Sequence, residues 1–310
     1  MSLLKRLFFF VAVNLLVIFA VNLVIHVLGV EPYLTARGLN YTNLLYFCAI
    51  FGFVGSFISL QMSRFMAKHA LGVQLIDPRH PGGPEAARLV EMVSRICQRA
   101  GMTTLPEIGV YPSREVNAFA TGPSASRSLV AVSTGLLDRM DSRAVEGVLA
   151  HEVSHIVNGD MVTMTLLQGV VNTFVMFASR VAVFAIDNFL RSRDDEGRGL
   201  GYFAQYLLIM VFETILMLLA MIVIYFFSRR REFAADKGSA ELTGRETMIH
   251  ALESLRDHKN QVDNTHPSLS TLKIHGGSRG LVALLYSSHP PLEARIAALR
   301  RTEPLQRLTP

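Results

Sequence analysis

The sequence predicts an α-helical membrane protein with four transmembrane helices and an α+β domain on the cytoplasmic side. Half of its 310 residues are hydrophobic and only 18% are charged, whereas an ordinary soluble domain carries about 25% charged residues. Long apolar segments alternate with polar stretches whose patterns are typical of helices and short strands. Membrane anchoring is therefore the first property that the sequence indicates.

Each apolar segment is long enough for the roughly 20 residues that a helix needs to cross the hydrocarbon core. The segments cover residues 7–29, 41–62, 161–186 and 202–228. The first follows Lys5 and Arg6 and has no cleavage signal after it, which predicts a signal anchor that is retained. Arg180 interrupts the third segment and Glu213 the fourth. Because charges are costly in lipid, either the two side chains pair or Arg180 extends to the membrane surface alone.

The Lys and Arg residues in the short flanking loops predict that both termini lie in the cytoplasm. Basic residues flank the spans on one side, at Lys5, Arg6, Arg64, Lys68 and the arginines of positions 229–231. The loop between the first two spans offers only Arg37. Lys and Arg outnumber Asp and Glu by 30 to 25, an excess that suits an anionic lipid bilayer as partner. No basic block with interleaved aromatic residues occurs, so a nucleic-acid partner is not expected.

The polar segments predict the elements of the α+β domain. The stretch "IDPRHPGGPEAARLVEMVSRICQRAG" predicts a turn and then a helix that ends near Gly101. The stretches "PEIGVY", "EVNAFATG" and "SLVAVSTG" predict short strands, the last two joined by the hairpin-like "PSASR". The stretch "DSRAVEGVLAHEVSHIVNGD" predicts a helix that is capped by Asp141 or Ser142 and ends at Gly159. Cys48 and Cys97 are not expected to form a disulfide.

The last of these helices contains a metal-binding pattern. At about 3.6 residues per turn, His151 and His155 lie on one face, one turn apart. Two imidazoles so arranged can occupy adjacent corners of a tetrahedral zinc site. Glu152 is rotated away from them and can reach a water on the metal, as in the H-E-x-x-H pattern of zinc proteases. The alternative is a pair of ordinary surface histidines.

A catalytic zinc site needs a third protein ligand and an open fourth position. Position 161, where a metzincin would have a histidine, is Met161, which excludes that class. Glu232 and Asp236 lie one turn apart in "RREFAADKGSAEL", directly after the fourth span. Glu232 can bind the metal, and Asp236 can accept the second ring N–H of a ligating histidine. Such acidic pairs also occur on solvated helices, but the position next to the membrane favours a gluzincin-like zinc-metalloprotease domain.

Motifs along the whole chain support this interpretation. Taken together, "VNAFA", "HEVSHIVNGD", "RREFAAD" and "SSHPPLEARI" resemble the HtpX family of bacterial membrane zinc proteases, relatives of the CaaX prenyl proteases. The resemblance implies an ATP-independent endopeptidase of the bacterial inner membrane with one zinc ion per subunit. It further implies a role in stress-linked quality control, with misfolded or damaged membrane proteins as substrates and other membrane proteases as partners.

The resemblance also implies roles for individual residues. His151, His155 and Glu232 would be the zinc ligands, with Glu152 as catalytic base and Asp236 supporting a ligand. The segment Asn117, Ala118 and Phe119 would border the substrate cleft, while His289 and Arg295 would lie close to the metal. Since the oxyanion needs a stabiliser besides zinc, either His289 or Arg295 is a candidate. Alternatively, "HPP" is a turn, Arg295 an ion-pair partner and "EVNAFATG" an ordinary strand instead of a substrate-binding edge strand.

The predicted domain organisation follows from the positions of the spans. Residues 1–63 and 161–228 would form two pairs of transmembrane helices, and residues 64–160 and 229–310 two halves of a protease domain. A site-2-type intramembrane protease is one alternative, but it buries its motif inside a span. A membrane scaffold or transporter with structural zinc is another, which would require four protein ligands and no adjacent base.

Overall fold

The computed structural model describes residues 3–30, 34–35, 38–193, 198–265 and 289–301, with the backbone alone at 3–14, 35, 70 and 259–265. The chain divides into two compact units, and each unit contains two separate segments. The first unit comprises Met1–Gln61 and Thr163–Ile224, and the second comprises Met62–Val162 and Tyr225–Pro310. The domain boundaries given above stay a prediction.

The elements follow one another in a mixed order. The helices are α1 (Leu3–Val27), α2 (Tyr41–Ala70), α3 (Pro84–Arg99), α4 (Thr134–Arg139), α5 (Ser142–Val157), α6 (Asp160–Arg191), α7 (Tyr202–Thr243), α8 (Arg245–Thr265) and α9 (Leu292–Arg301). The strands are β1 (Leu34–Thr35), β2 (Gly38–Leu39), β3 (Gln74–Ile76), β4 (Glu107–Tyr111), β5 (Ala118–Thr121) and β6 (Leu129–Ser133). A short 3-10 turn, Ala125–Arg127, joins β5 to β6.

Among the described residues, α2, α6 and α7 are long and apolar enough to cross a membrane. Three of the predicted spans are therefore confirmed as candidate membrane helices. The first predicted span, residues 7–29, overlaps α1, which is 25 residues long and ends at Val27. Side chains are described only for its shorter apolar part, Leu15–Val27, so residues 7–14 of that span lie outside the side-chain description. The count of four stays a prediction.

Close packing between α2 and α6 and an ion pair between α6 and α7 characterise the apolar unit. A Cβ atom on Gly52 of α2 would lie 2.6 Å from the carbonyl oxygen of Gly169 in α6, so this approach requires glycine. Small residues commonly allow such contacts between membrane helices. In the same unit, Arg180 of α6 donates a hydrogen bond to Glu213 of α7 at 2.7 Å. The two charges are therefore paired. Of the two alternatives from the sequence, this is the ion pair and not an Arg180 that extends to the membrane surface alone.

The second unit contains a mixed sheet with the strand order β3-β4-β6-β5. Strand β4 is parallel to β6, whereas β3 pairs with β4 and β5 pairs with β6 in antiparallel fashion. Helices α3 and α5 pack against the sheet and against each other, and α8 packs on α5. The core includes the fully buried residues Val93, Ile96, Leu136, Leu149 and Val153. The strands predicted from "PEIGVY", "EVNAFATG" and "SLVAVSTG" are confirmed, and β3 was not predicted.

Local signals set the ends of α5. The Asp141 carboxylate accepts a hydrogen bond from the backbone N–H of Ala144 at 2.8 Å, which caps the helix as predicted. The helix ends before Gly159, whose φ of 67° favours glycine. This turn separates α5 from α6, which begins at the next residue.

Both cysteines are free and buried, in agreement with the sequence. Burial raises the pKa of the Cys97 thiol to about 11. That thiol therefore stays protonated at neutral pH and belongs to the core cluster around α3.

Candidate metal centre

Helices α5 and α7 bring two imidazoles and a carboxylate together in the second unit. His151, His155 and Glu232 are buried, and one possible ligand atom from each lies within 4.8 Å of the others. The Nε2 atoms of the two histidines are 3.1 Å apart. Glu232 Oε2 lies 3.5 Å from His151 Nε2, and Glu232 Oε1 lies 3.5 Å from His155 Nε2. The sequence-predicted ligands thus converge on one point.

These distances fit a tetrahedral zinc ion. Bonds of about 2.0–2.1 Å to nitrogen at tetrahedral angles separate neighbouring ligand atoms by about 3.3 Å. Two imidazole nitrogens and one carboxylate oxygen are also a donor set typical of catalytic zinc. Both the spacing and the chemistry of the described residues are therefore compatible with the metal that the sequence indicates.

Asp236 contacts the His151 ring, and Arg295 in turn holds Asp236. Asp236 Oδ1 lies 3.0 Å from His151 Nδ1, so His151 can donate its ring N–H to that oxygen. Arg295 of α9 donates to both oxygens of Asp236. Burial raises the pKa of Asp236, but the hydrogen bonds from Arg295 and His151 outweigh it and hold the pKa below its ordinary value. Burial lowers the pKa of His151, whereas Asp236 and Glu232 raise it, with a net increase.

Asp160, the first residue of α6, contacts the other histidine. Its Oδ2 lies 2.5 Å from His155 Nδ1, and its Oδ1 lies 3.3 Å from Arg231 Nε. Burial lowers the pKa of His155, but the hydrogen bonds to Asp160 and Glu232 outweigh burial and raise it to about 9. Asp160 was not among the site residues predicted from the sequence. The sequence feature that could have identified Asp160 is its position, five residues after His155 and directly after Gly159, where a turn can bring it back to the histidine.

Glu152 lies between the two histidines in sequence and is partly exposed. The protein packed around its carboxyl raises the pKa of Glu152 above its ordinary value, although His151 and His155 lower it. The backbone N–H of Ala120 in β5 donates to this carboxylate. A carboxyl with a raised pKa beside a metal centre is suited to accept and return a proton.

Two of the three residues predicted to border the cleft, Ala118 and Phe119, lie in the edge strand β5. Asn117 precedes the strand, and its carbonyl accepts from the Ser133 N–H at 2.9 Å. In an antiparallel pair, backbone groups alternate between the partner strand and the open side. Ala118 and Ala120 therefore direct their backbone groups to the edge, where no further strand pairs among the described residues. The Phe119 ring packs against Tyr111 at 5.5 Å, so its side chain contributes to the domain core.

His289 and Arg295 both lie near Glu232 but differ in exposure. His289 Nδ1 is 2.8 Å from Glu232 Oε2, and 66% of the His289 side chain is exposed. Arg295 Nη1 is 3.3 Å from the same oxygen, and its side chain is buried. Burial raises the pKa of Glu232, but the neighbouring His151, His155 and His289 outweigh it and lower the pKa well below its ordinary range. Glu232 is thus held as a carboxylate.

A site of this composition, on a chain with helices that can span a bilayer, defines a metalloprotease of the membrane-bound class. The chain belongs to peptidase family M48, because the model of that family matches residues 84–303. It is 48% identical over 301 residues to the Protease HtpX homolog of Bacillus licheniformis, with 95% of this chain and 98% of the relative covered. It is also 48% identical over 296 residues to Protease HtpX of Shewanella sp. (strain MR-4), with 96% and 99% covered. The resemblance to the HtpX family is confirmed, and the chain is an HtpX-type membrane protease.

A solved structure has the same fold. The crystal structure of S. mikatae Ste24p matches with a TM-score of 0.64 and 19% sequence identity over 96% of this chain. This chain spans 64% of the length of that protein. At this identity the match concerns the fold alone.

Proposed function

We propose that the chain is a zinc-dependent endopeptidase that hydrolyses peptide bonds of misfolded or damaged membrane proteins without ATP. The observation that carries the proposal is the convergence of His151, His155 and Glu232 beside Glu152. Three protein donors around one point leave a fourth tetrahedral position for water, as a catalytic site requires. One zinc ion per subunit is supported by the one such set of donors in the described part of the chain.

Each residue of the centre has its own role in the proposed hydrolysis. A bound zinc ion would lower the pKa of a water toward about 7 and polarise the scissile carbonyl. Glu152 accepts the proton of the attacking water and returns it to the leaving amine. His289 is the exposed group beside the centre and is available to stabilise the developing oxyanion. Arg295 is buried against Asp236 and acts by holding Asp236 and thereby the His151 ring.

The edge strand β5 is the proposed substrate-binding strand. A substrate in extended conformation can pair with the outward backbone groups of Ala118 and with the carbonyl of Ala120, whose N–H donates to Glu152. Main-chain pairing does not depend on the identity of side chains, which suits a protease that acts on unfolded segments of many proteins. Asn117 lies at the beginning of this strand and would mark one end of the cleft.

We further propose a location in the bacterial inner membrane, with four spans and with both termini and the active site in the cytoplasm. The basic residues flanking the spans support this orientation. Other membrane quality-control proteases are the expected functional partners. Reporter fusions after Met62 and after Ser228 test the orientation, since both reporters should be cytoplasmic. An outward-facing reporter at either position would contradict it.

Two other functions are less well supported. In a site-2-type intramembrane protease the motif lies within a span, but α5 packs against α3, α8 and β5 of the α+β unit. A scaffold or transporter with structural zinc would need a fourth protein ligand, whereas the described group contains three donors.

The Glu152→Gln variant distinguishes an enzyme from a structural zinc protein. The variant should retain zinc and lose cleavage of casein and of an unfolded membrane protein in detergent, with or without ATP. Glu146→Gln, on the same helix, is the matched control, because Glu146 is a partly exposed residue 3.9 Å from Arg95. If Glu152→Gln still cleaves, the mechanism is wrong.

A further inference from the structure

Asp160 is an acidic residue at the metal centre that takes part in no step of the reaction proposed above. It begins α6 directly after the turn at Gly159, and only 6% of its surface is exposed. Because a buried carboxylate is costly unless it is paired, the contacts of its two oxygens indicate what it does. One oxygen faces His155 and the other faces Arg231.

The contact with His155 determines which ring nitrogen is free. A carboxylate only accepts hydrogen bonds, so Nδ1, 2.5 Å away, carries the hydrogen, and Nε2 keeps its lone pair in the neutral ring. Nε2 is the atom that faces His151 at 3.1 Å and Glu232 at 3.5 Å. Asp160 therefore selects the tautomer and the ring orientation in which His155 can bind a cation.

Arg231 holds Asp160 from the opposite side. Its Nε lies 3.3 Å from Asp160 Oδ1, and it directly precedes Glu232 in α7. A line of contacts thus runs from His155 in α5, through the first residue of α6, to the part of α7 that carries the third donor. The ion pair also supplies the positive charge that a buried Asp160 carboxylate needs.

We propose that Asp160 is a positioning residue of the metal centre and that Arg231 keeps its carboxylate aligned with His155. This inference rests on the proposed zinc site. The pair of Asp236 and Arg295 holds His151 in the corresponding way. Each imidazole therefore has its own aspartate–arginine pair, and the loss of either pair should weaken the metal centre.

The test measures metal binding in the full chain in detergent. Asp160→Asn should weaken zinc binding about 10- to 100-fold, as measured by competition with a chromogenic chelator. It should also change the visible absorption of the cobalt-substituted protein. Arg231→Ala should act in the same direction with a smaller effect. Arg230→Ala is the matched control, because Arg230 lies over the Phe226 ring at 4.8 Å and should leave both readouts unchanged.

The outcomes separate this inference from the proposed function. If the unaltered chain binds no zinc, the proposed function fails. If it binds zinc and Asp160→Asn has the same affinity and the same cobalt spectrum, only the positioning role fails. A variant with a lower melting temperature in its metal-free form but unchanged metal binding would show a purely structural role and contradict the inference. If Asp160→Asn does not fold, Arg231→Ala decides by the same criteria.

Discussion

Arg295 donates two hydrogen bonds to Asp236, from Nε to Oδ2 at 2.8 Å and from Nη2 to Oδ1 at 2.5 Å. Both side chains are buried, and Asp236 also contacts His151. This two-point contact fixes the plane of the carboxylate, which a single donor cannot do. The orientation of one predicted metal ligand therefore depends on a residue of α9, at the far end of the chain.

Replacement of Arg295 by lysine should impair the enzyme although the charge is retained. Lysine cannot donate to both Asp236 oxygens in a fixed plane, so His151 should lose its fixed orientation. We expect at least about a tenfold loss of kcat and of zinc affinity, measured by peptide cleavage and by chelator competition. Arg300→Lys on the same helix is the control, since Arg300 is exposed and pairs with Glu253. Equal losses in the two variants would contradict a specific role of Arg295.

Removal of Glu232 should remove the metal. Glu232→Ala deletes the only carboxylate in the described donor group, and two imidazoles alone bind zinc much more weakly. We expect the purified variant to contain little zinc by atomic absorption and to be inactive. Glu241→Ala, at an exposed position of the same helix, should contain as much zinc as the unaltered chain. A full zinc content in Glu232→Ala would mean that another residue is the third ligand.

Arg180 and Glu213 should stabilise the apolar unit as a pair. Each single substitution, Arg180→Met or Glu213→Gln, leaves the other side chain without its partner in an apolar environment, which is costly. The double variant should therefore be less destabilised than the sum of the single variants, with a coupling energy of about 0.5–3 kcal/mol. Thermal unfolding in detergent measures all members of this cycle. Simple additivity would indicate that the 2.7 Å contact contributes nothing to stability.

Asp141 should stabilise α5 in a pH-dependent manner. The backbone N–H of Ala144 and then His250 lower the pKa of Asp141 below its usual value. Its stabilising effect is therefore complete above the unfolded pKa of about 3.9 and is lost as the pH falls through the lower folded value. Asp141→Ala should cost about 1 kcal/mol at neutral pH, and this cost should disappear in acid. Asp138→Ala, at an exposed position of α4, should be neutral at both pH values.

Local signals allowed much of the fold and the donor set to be predicted. The cap at Asp141, the helical spacing of His151 and His155 and the stop at Gly159 all depend on a few neighbouring residues. Glu232 was predicted as a ligand because it follows the fourth predicted span as closely as His155 precedes the third. These signals do not require knowledge of the tertiary structure.

Contacts between distant segments could not be predicted in the same way. Strand β3 has three residues, and Leu75 within it is exposed, so no alternating pattern marks it. The contact between the Phe119 and Tyr111 rings depends on the pairing of β4 and of β5 with β6, which joins segments that are distant in sequence. The contact of Asp160 with His155 depends on how the chain turns at Gly159. In each of these cases the tertiary fold decides which groups meet.

The most direct test of the metal centre is X-ray absorption at the zinc edge on the purified full chain. The spectrum should fit two imidazole nitrogens and carboxylate or water oxygens at about 2.0–2.2 Å without sulfur. The imidazole contribution should decrease in His155→Ala, and the bound zinc should be lost in Glu232→Ala. A spectrum with sulfur ligands, or one that stays the same in both variants, would contradict a zinc ion held by His151, His155 and Glu232.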